Sequence, residues 1–357
     1  MNVSLNCLVL LFSIDTHVIN PVRSCISANL FSNINVQRSF STFFYSLSSN
    51  TKIEVSGSNF FKFLDSSIKI MQYNRDFSSQ NSIIIHSTKF EECQTQEYAG
   101  GALMCYNLDN FATITCSVFI KCFCGANLVN PSRDDYSGGS IAYAGNTIIM
   151  RNLFFDRSGI GIGAGRSFGG YSNIWNISHV CCLQSYGSYC DIAITIARVE
   201  TSNLNCSRTQ EGEHSGYALS YDNPYSKLLH YHYEHSGGKW SHHYNILDDN
   251  SISLRCNFVN VTEYIEFFDL MGGGGIIQEC YFGIVGNTLF SYRMINTFVF
   301  KNCYFKSTSF LDPCDLCKIK VKSCTIYCVI PLCKEKTFFT SYSKLHSEIA
   351  FILFWIQ

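Results

Sequence analysis

The sequence has little charge and little proline. Charged residues are 15% of the chain, against about 25% in a typical soluble domain, and only 5 of the 357 residues are proline. The formal net charge of −1 excludes an overall basic surface of the kind that nucleic acids or anionic membranes attract. The chain is nevertheless not of the disordered type, because 29 Phe and 21 Tyr supply enough apolar surface to offset the entropy of folding.

Long helical periodicity is also missing, and a short strand-like pattern recurs instead. The segment QECYF at residues 278–282 returns as KNCYF at residues 301–305, 23 positions later. The apolar residues that lie two positions after a cysteine follow at intervals of 24, 23 and 21 residues, at Phe258, Phe282, Phe305 and Ile326. Weaker copies of the pattern end near positions 60, 90, 118, 154, 182 and 204.

This period predicts an all-β fold, a right-handed parallel β-helix (solenoid) of about ten coils, because repeats of about 20–50 residues are typical of stacked architectures. Gly and Asn recur at the joints between short strands, as chain corners require. Coils stack about 4.8 Å apart, so that equivalent residues lie above one another. Phe282 and Phe305 should therefore stack in an interior column beside Cys280 and Cys303. A β-propeller and a leucine-rich solenoid fit the repeat less well.

The repeat divides the chain into three predicted regions. The β-helix occupies residues 51–335, and residues 336–357 form a cap or a truncated hydrophobic tail. Residues 1–50 form an N-terminal segment and cap, in which the apolar run at 5–14 is a weak candidate for a signal peptide. The apolar run at 349–356 is too short to cross a bilayer, which takes about 20 residues. It is either a buried terminal strand or the beginning of a membrane segment in a longer parent protein.

The 19 cysteines are an odd number, so at least one thiol has no disulfide partner within the chain. Cys256, Cys280, Cys303 and Cys324 occupy one position of the repeat. Stacking in register would hold their Cβ atoms about 4.8 Å apart with parallel directions, whereas a disulfide needs about 3.5–4.5 Å and a twist. We therefore expect these four side chains to be buried thiols that pack like small apolar groups, even in an oxidising compartment.

The segment GGAL at residues 100–103 is similar to the G-G-A-I motif of bacterial polymorphic outer-membrane proteins and of surface proteins of parasitic protists. GGSI at 138–141 and GGII at 274–277 are looser copies. Those families pair the motif with F-x-x-N, and the matching segments here, FEEC at 90–93 and FIKC at 119–122, have Cys in place of Asn. The resemblance covers roughly residues 85–330 and implies a pectin-lyase-like β-helix, exposed on a surface or secreted, with no catalytic residue.

Two clusters are weak candidates for a metal site. Imidazoles that lie close together can bind Zn²⁺ or Cu²⁺, and five of the ten histidines lie within one short segment, at His230, His232, His235, His242 and His243. The alternative is a polar loop between coils. Thiolates at C-x-x-C spacing can begin a Cys₄ zinc site, and the second cluster is Cys314, Cys317, Cys324 and Cys328. Disulfides or buried thiols in a terminal cap are the alternatives there.

Catalytic patterns are weak. The segment SGIGIGAGRSFGG at residues 158–170 has Arg166 where a dinucleotide fingerprint needs Gly, and no P-loop Lys follows. Glycoside hydrolases need two carboxylates placed around the scissile bond. The adjacent acids at 134–135 and 248–249 would point apart on a strand. The sequence predicts no catalytic residue and no cofactor.

The predicted function is a non-enzymatic surface or secreted β-helix scaffold for adhesion or for contact with a host or the environment. The alternative is a polysaccharide-active (lyase or hydrolase) or glycan-binding β-helix. The expected partner is a host or extracellular protein or a glycan, not a nucleic acid, and membrane association is expected only through a longer parent chain. The four N-x-S/T sequons, at Asn2, Asn176, Asn205 and Asn260, suit a cell-surface or secreted location, while a cytoplasmic location is left open.

Overall fold

The structure is a computed structural model in which every regular element of the described residues is a β-strand. It describes residues 13–15, 22–23, 28–46, 51–71, 81–95, 100–106, 111–125, 139–160, 167–184, 192–195, 198–214, 217–219, 225–230, 232–240, 252–262, 275–285, 297–305, 318–322 and 325–326.

In chain order the strands are β1 Ser13–Asp15, β2 Val22–Arg23, β3 Ala28–Ser32, β4 Asn35–Ser39, β5 Phe44–Ser46, β6 Lys52–Ser56, β7 Asn59–Phe63, β8 Ile68–Met71, β9 Ser82–His86, β10 Lys89–Glu91, β11 Gln94–Thr95, β12 Leu103–Tyr106, β13 Phe111–Thr115, β14 Val118–Ile120, β15 Phe123–Cys124, β16 Ile141–Asp156, β17 Gly159–Ile160, β18 Phe168–Leu183, β19 Ile192–Thr195, β20 Arg198–His214, β21 Tyr217–Leu219, β22 Tyr225–Leu229, β23 His232–Trp240, β24 Ile252–Leu254, β25 Asn257–Thr262, β26 Gly275–Gln278, β27 Tyr281–Val285, β28 Thr297–Lys301, β29 Tyr304–Phe305, β30 Lys318–Lys322 and β31 Thr325–Ile326.

Most strands form three parallel ladders, which we call faces 1, 2 and 3, and β11, β15 and β17 form a small separate parallel sheet at a corner. Face 1 contains β3, β6, β9, β13, β22, β24, β26, β28 and β30. Face 2 contains β1, β4, β7, β10, β14, β23, β25, β27, β29 and β31. Face 3 contains β2, β5, β8, β12, β19 and β21. The long strands β16 and β18 bend through all three faces, and β20 continues from face 1 into face 2.

Face 2 shows why the sequence repeats. One inward register position runs through the whole ladder, each residue paired with the next. In order its residues are Ile14, Val36, Phe60, Phe90, Phe119, Phe155, Cys182, Cys206, Tyr233, Phe258, Phe282, Phe305 and Ile326. We call this set the face 2 column. The sequence separation between successive members varies because the loops between the faces differ in length. Surface loops tolerate such differences in length.

Aromatic stacking fills the interior beside face 2. The ring centroids of Phe60, Phe90, Phe119 and Phe155 lie 5.1, 5.0 and 4.8 Å apart in succession, with nearly parallel planes. Parallel strands place equivalent side chains about 4.8 Å apart, and that spacing suits offset rings. The repeat of large apolar side chains therefore produces a continuous core.

A left-handed turn residue precedes each member of this column from Val36 to Phe305. Its φ is near +50° to +55°, and it lies three positions before the column residue. These turn residues are Asn33, Gly57, Ser87, Cys116, Asn152, His179, Asn203, His230, Arg255, Glu279 and Asn302. The conformation favours Gly and Asn, which explains part of the composition of the joints. A sharp corner between faces 1 and 2 follows from it.

The structure confirms an all-β parallel solenoid. Phe258 and Phe282 are buried and stack at 5.2 Å, as the repeat predicts. Phe305 and Ile326 continue the same register, although the structure does not describe their side chains. Solenoid strands also occur before residue 51, since β3, β4 and β5 pair with β6, β7 and β8. Residues 336–357 lie outside the described part of the chain.

Candidate interaction face

The cysteines of the repeat occupy a turn position that serine and threonine occupy in earlier coils. Each lies directly after a left-handed turn residue. Ser117 donates its hydroxyl to the Thr115 carbonyl at 2.8 Å, and Cys280 donates its thiol to the Gln278 carbonyl at 3.2 Å. Ser117 Oγ also accepts the Thr88 N–H at 3.2 Å, as Cys280 Sγ accepts the Cys256 N–H at 3.4 Å. The thiol therefore replaces a hydroxyl that links neighbouring coils.

Three of the four thiols predicted to stack are confirmed as buried. Cys256, Cys280 and Cys303 are each fully buried thiols, and Cys324 lies outside the described residues. Burial is the main cause of the raised pKa of Cys280, and a hydrogen bond with Cys280 is the main cause for Cys303. Both thiols therefore stay protonated near neutral pH, so they act as packing and hydrogen-bonding groups rather than as nucleophiles.

The two motifs behind the family resemblance meet at one corner of the solenoid. Cys93 follows the left-handed residue Glu92, and its sulfur lies 3.2 Å from the Ser67 hydroxyl. A Cβ on Gly101 would lie 2.6 Å from the Cys93 carbonyl oxygen and 2.3 Å from that of Phe123, so only glycine fits. Cys122 occupies the equivalent corner one coil later, and burial raises its pKa. The pairing of the motifs is therefore structural.

Most of the predicted metal ligands lie outside the described residues or have undescribed side chains. His230 is a left-handed turn residue whose pKa is lowered, mainly by burial and further by the charge of Arg255. His232 and His235 lie on β23, and their side chains are not described. His242 and His243, with the four cysteines Cys314, Cys317, Cys324 and Cys328, lie outside the described ranges. Within those ranges no three His, Cys, Asp or Glu residues group around a possible metal position.

The structure describes only part of the segments in which the sequence offered catalytic patterns. The glycine-rich segment is described at 158–160 and 167–170, where Gly159 pairs in the small corner sheet of β11, β15 and β17. Arg166 and both adjacent acid pairs lie outside the described residues. The described part of this segment continues the solenoid.

Apolar residues on the outward sides of faces 2 and 3 are buried or partly buried. Val118 and Cys181 point away from the interior of face 2, yet they are buried and pack with Ile120, Phe154 and Leu183. On face 3 the outward residues Met104 and Ala142 are buried together, and outward Lys69 is 7% exposed. Neither of these two surfaces is open to a partner at those positions.

Face 1 is open. Five large apolar side chains on its outward side are 39–46% exposed: Leu30, Ile84, Phe111, Ile174 and Ile276. Ile84 and Phe111 belong to adjacent strands, and Ile149 and Ile174 continue the surface over the next two. We call the outward residues of the face 1 strands the open face. Exposed apolar residues that recur over one surface are typical of interaction sites, so the open face is the candidate functional site.

The sequence predicted which residues alternate outward but not which of the three outward surfaces stays exposed. Inward and outward side chains alternate in the same way on all three faces. Only contacts with residues distant in sequence determine which outward surface stays exposed. No helix among the described residues is long and apolar enough to cross a bilayer. No protein-family model, curated protein or solved structure matches the chain.

Proposed function

We propose that the chain is a non-enzymatic surface or secreted scaffold that adheres through its open face. The scaffold is a right-handed parallel β-helix of about ten coils. Crossovers between parallel strands of one sheet are right-handed in about 98% of cases, which supports the handedness. The succession of register positions in the face 2 column from Phe60 to Ile326 supports the number of coils.

One observation carries the proposal: among the described strands, every exposed large apolar residue lies on the open face, while the outward apolar residues of the other two faces are buried or partly buried. The exposed surface of Ile84, Phe111 and Ile174, which is 40–46% of each residue, adds nothing to the stability of the monomer, because apolar surface is stabilising only when it is removed from water. A partner that covers them would recover that energy. A rigid stack of strands also holds these side chains in fixed positions, which limits the entropy lost on binding.

The alternative is a polysaccharide-active or glycan-binding β-helix. A hydrolase would need an acid kept protonated beside a second carboxylate. Glu91, Glu92 and Asp156 lie near one another on the outward side of face 2, but each forms an ion pair, with Lys89, with Lys62 and Lys121, and with Arg157 respectively. Each of these carboxylates is therefore held by a neighbouring lysine or arginine of the solenoid itself. The purified protein can be incubated with a panel of polysaccharides. Release of reducing ends or of unsaturated sugars would favour this alternative.

Adhesion can be tested with beads that carry the purified protein. We replace Ile84, Phe111 and Ile174 by threonine, which already occupies Thr113 and Thr147 on the same surface. Bead attachment to intact cells should fall about tenfold or more, since truncation of a central interface residue typically costs over about 1 kcal/mol.

The matched control changes two exposed apolar residues at another corner. Phe40 is 62% exposed and Leu64 is 53% exposed, and both lie beyond the ends of face 2 strands. Phe40→Thr and Leu64→Thr should leave attachment unchanged. Equal loss in both variants, or no attachment by the parent protein, would contradict adhesion through the open face. Labelling of a tagged chain on intact cells by an impermeant biotin reagent tests the surface location separately.

A further inference from the structure

The last described strand of face 1 carries three lysines. Strand β30 has the sequence KIKVK and pairs with β28, so that Lys318, Lys320 and Lys322 align with Thr297, Val299 and Lys301. In β28 the side chain of Phe300 is buried and that of Lys301 is exposed, which identifies the outward register positions. The register of β30 places its three lysines at those same positions of the ladder, although the structure does not describe their side chains. With Lys301 they form what we call the lysine patch.

An aliphatic strip leads into the patch. Ile252, Ile276, Val299 and Lys320 are successive partners in one outward register position. Ile276 is 39% exposed, and Ile252 and Val299 are partly exposed. Strands β24, β26, β28 and β30 contain no Asp or Glu. This end of the open face therefore combines aliphatic side chains with lysines and has no acidic residue within its strands.

Lysines on the outward side of face 2 have a different environment. Lys62 and Lys121 both approach Glu92 at 3.5 Å, and Lys89 approaches Glu91 at 2.7 Å. Lys62, Lys89 and Lys121 are therefore paired with acidic residues of their own face, whereas the strands of the lysine patch contain no acidic residue in their sequence. A local cationic surface attracts anionic partners even on a nearly neutral protein.

The patch consists of lysines beside aliphatic residues, and this combination distinguishes between acidic glycans and anionic lipids as partners. Sulfate and carboxylate groups of acidic glycans are best bound by the planar fork of arginine, and sugar rings stack on aromatic side chains. Lysine is a strongly hydrated point charge on a long apolar stem, and it suits a diffuse layer of anionic headgroups while aliphatic neighbours reach the acyl boundary. We propose that the lysine patch and the adjoining aliphatic strip bind an anionic lipid surface. The inference rests on the proposed function, and it names the partner of one end of the open face.

The expected strength follows from the charge. Each lysine near an anionic bilayer contributes about fivefold to the binding constant, which corresponds to about 1 kcal/mol. Neutralising three of them should weaken binding on the order of a hundredfold. Because headgroup attraction is screened beyond about 10 Å at 0.1 M ionic strength, binding should also decline steeply with added salt.

The test is co-sedimentation of the full chain with vesicles. Vesicles of phosphatidylcholine alone are compared with vesicles that also contain phosphatidylserine, at low and physiological salt. The variant is Lys318→Gln, Lys320→Gln and Lys322→Gln together. The matched control is Lys62→Gln, Lys89→Gln and Lys121→Gln, which removes the same charge from face 2. Circular dichroism and thermal unfolding establish that both variants are folded.

We expect salt-sensitive binding to phosphatidylserine vesicles only, lost in the β30 variant and kept in the control. No binding by the parent chain, equal loss in both variants, or binding to neutral vesicles would overturn the proposal. Retention on immobilised sulfated polysaccharide without vesicle binding would overturn it in favour of a glycan. These outcomes are separate from the bead assay, because Ile84, Phe111 and Ile174 are unchanged in both lysine variants.

Discussion

At the scale of the residue, a thiol can take over the role of a hydroxyl. Cys280 and Ser117 lie at the same turn position in different coils, and each donates to the carbonyl two residues earlier. Each also accepts an N–H from the preceding coil. A buried cysteine usually behaves as a small apolar side chain. Here the hydrogen bonds predict a different ranking of substitutions.

Cys280→Ser should therefore destabilise the protein less than Cys280→Ala does. Serine keeps a donor and an acceptor at the turn, whereas alanine leaves the Cys256 N–H without its partner, at a cost of about 1–3 kcal/mol. Urea unfolding of the reduced protein measures the difference. The control is Cys182, which lies in the apolar face 2 column, where alanine should be tolerated better than serine. The same ranking at both positions would contradict the turn role.

The face 2 column makes a second prediction at this scale. Phe119 is fully buried between Phe90 and Phe155, with centroid separations of 5.0 and 4.8 Å. Phe119→Ala should lower the free energy of unfolding by about 3–5 kcal/mol, because stacked coils collapse poorly around a cavity. Phe111→Ala is the control, since Phe111 lies in the same coil but is 46% exposed. A similar melting temperature for the two variants would show that Phe119 does not support the core.

At the scale of the element, the corner between faces 2 and 3 has room for glycine alone at one position. The carbonyl oxygens of Cys93 and Phe123 approach Gly101, while the adjacent Ala102 donates its N–H to the Ser140 carbonyl of the next coil. Gly101→Ala should cost about 1–3 kcal/mol as an overpacking change, since both obstructing atoms belong to the backbone. Ala102→Ser is the control and should be nearly neutral. Equal effects on the melting temperature would contradict the close approach.

The face 2 column and the open face show how far the sequence could predict the structure. The spacing of Phe258, Phe282 and Phe305 predicted their common register and the stacking of Phe258 on Phe282, because the register repeats with the chain. The open face could not be predicted in this way. Outward Ile84 and outward Val118 have similar apolar side chains, yet one is 40% exposed and the other is buried. That difference depends on residues distant in sequence, about which a local period carries no information.

At the scale of the whole molecule, buried thiols link the stability of the solenoid to pH. Burial is the main cause of the raised pKa of Cys122, Cys181 and Cys280. Cys303 has a raised pKa as well, mainly through its hydrogen bond with Cys280. In the unfolded chain each thiol would titrate near its ordinary pKa of about 8.5. Folding therefore keeps these protons bound at a pH at which the unfolded chain releases them.

The sign of the effect follows directly. A pKa that is raised in the folded state contributes full stability below the unfolded pKa, and that stability is lost as pH rises above it. Each such thiol should remove about 1.4 kcal/mol of unfolding free energy per pH unit above about 8.5. We expect the urea midpoint of the reduced protein to be constant from pH 7 to 8 and to fall between pH 8.5 and 9.5. Cys280→Ser with Cys303→Ser should make the decline shallower, because a serine hydroxyl does not ionise in this range. A midpoint independent of pH, or an equal decline in the double variant, would show that these thiols ionise as readily in the folded protein as in the unfolded chain.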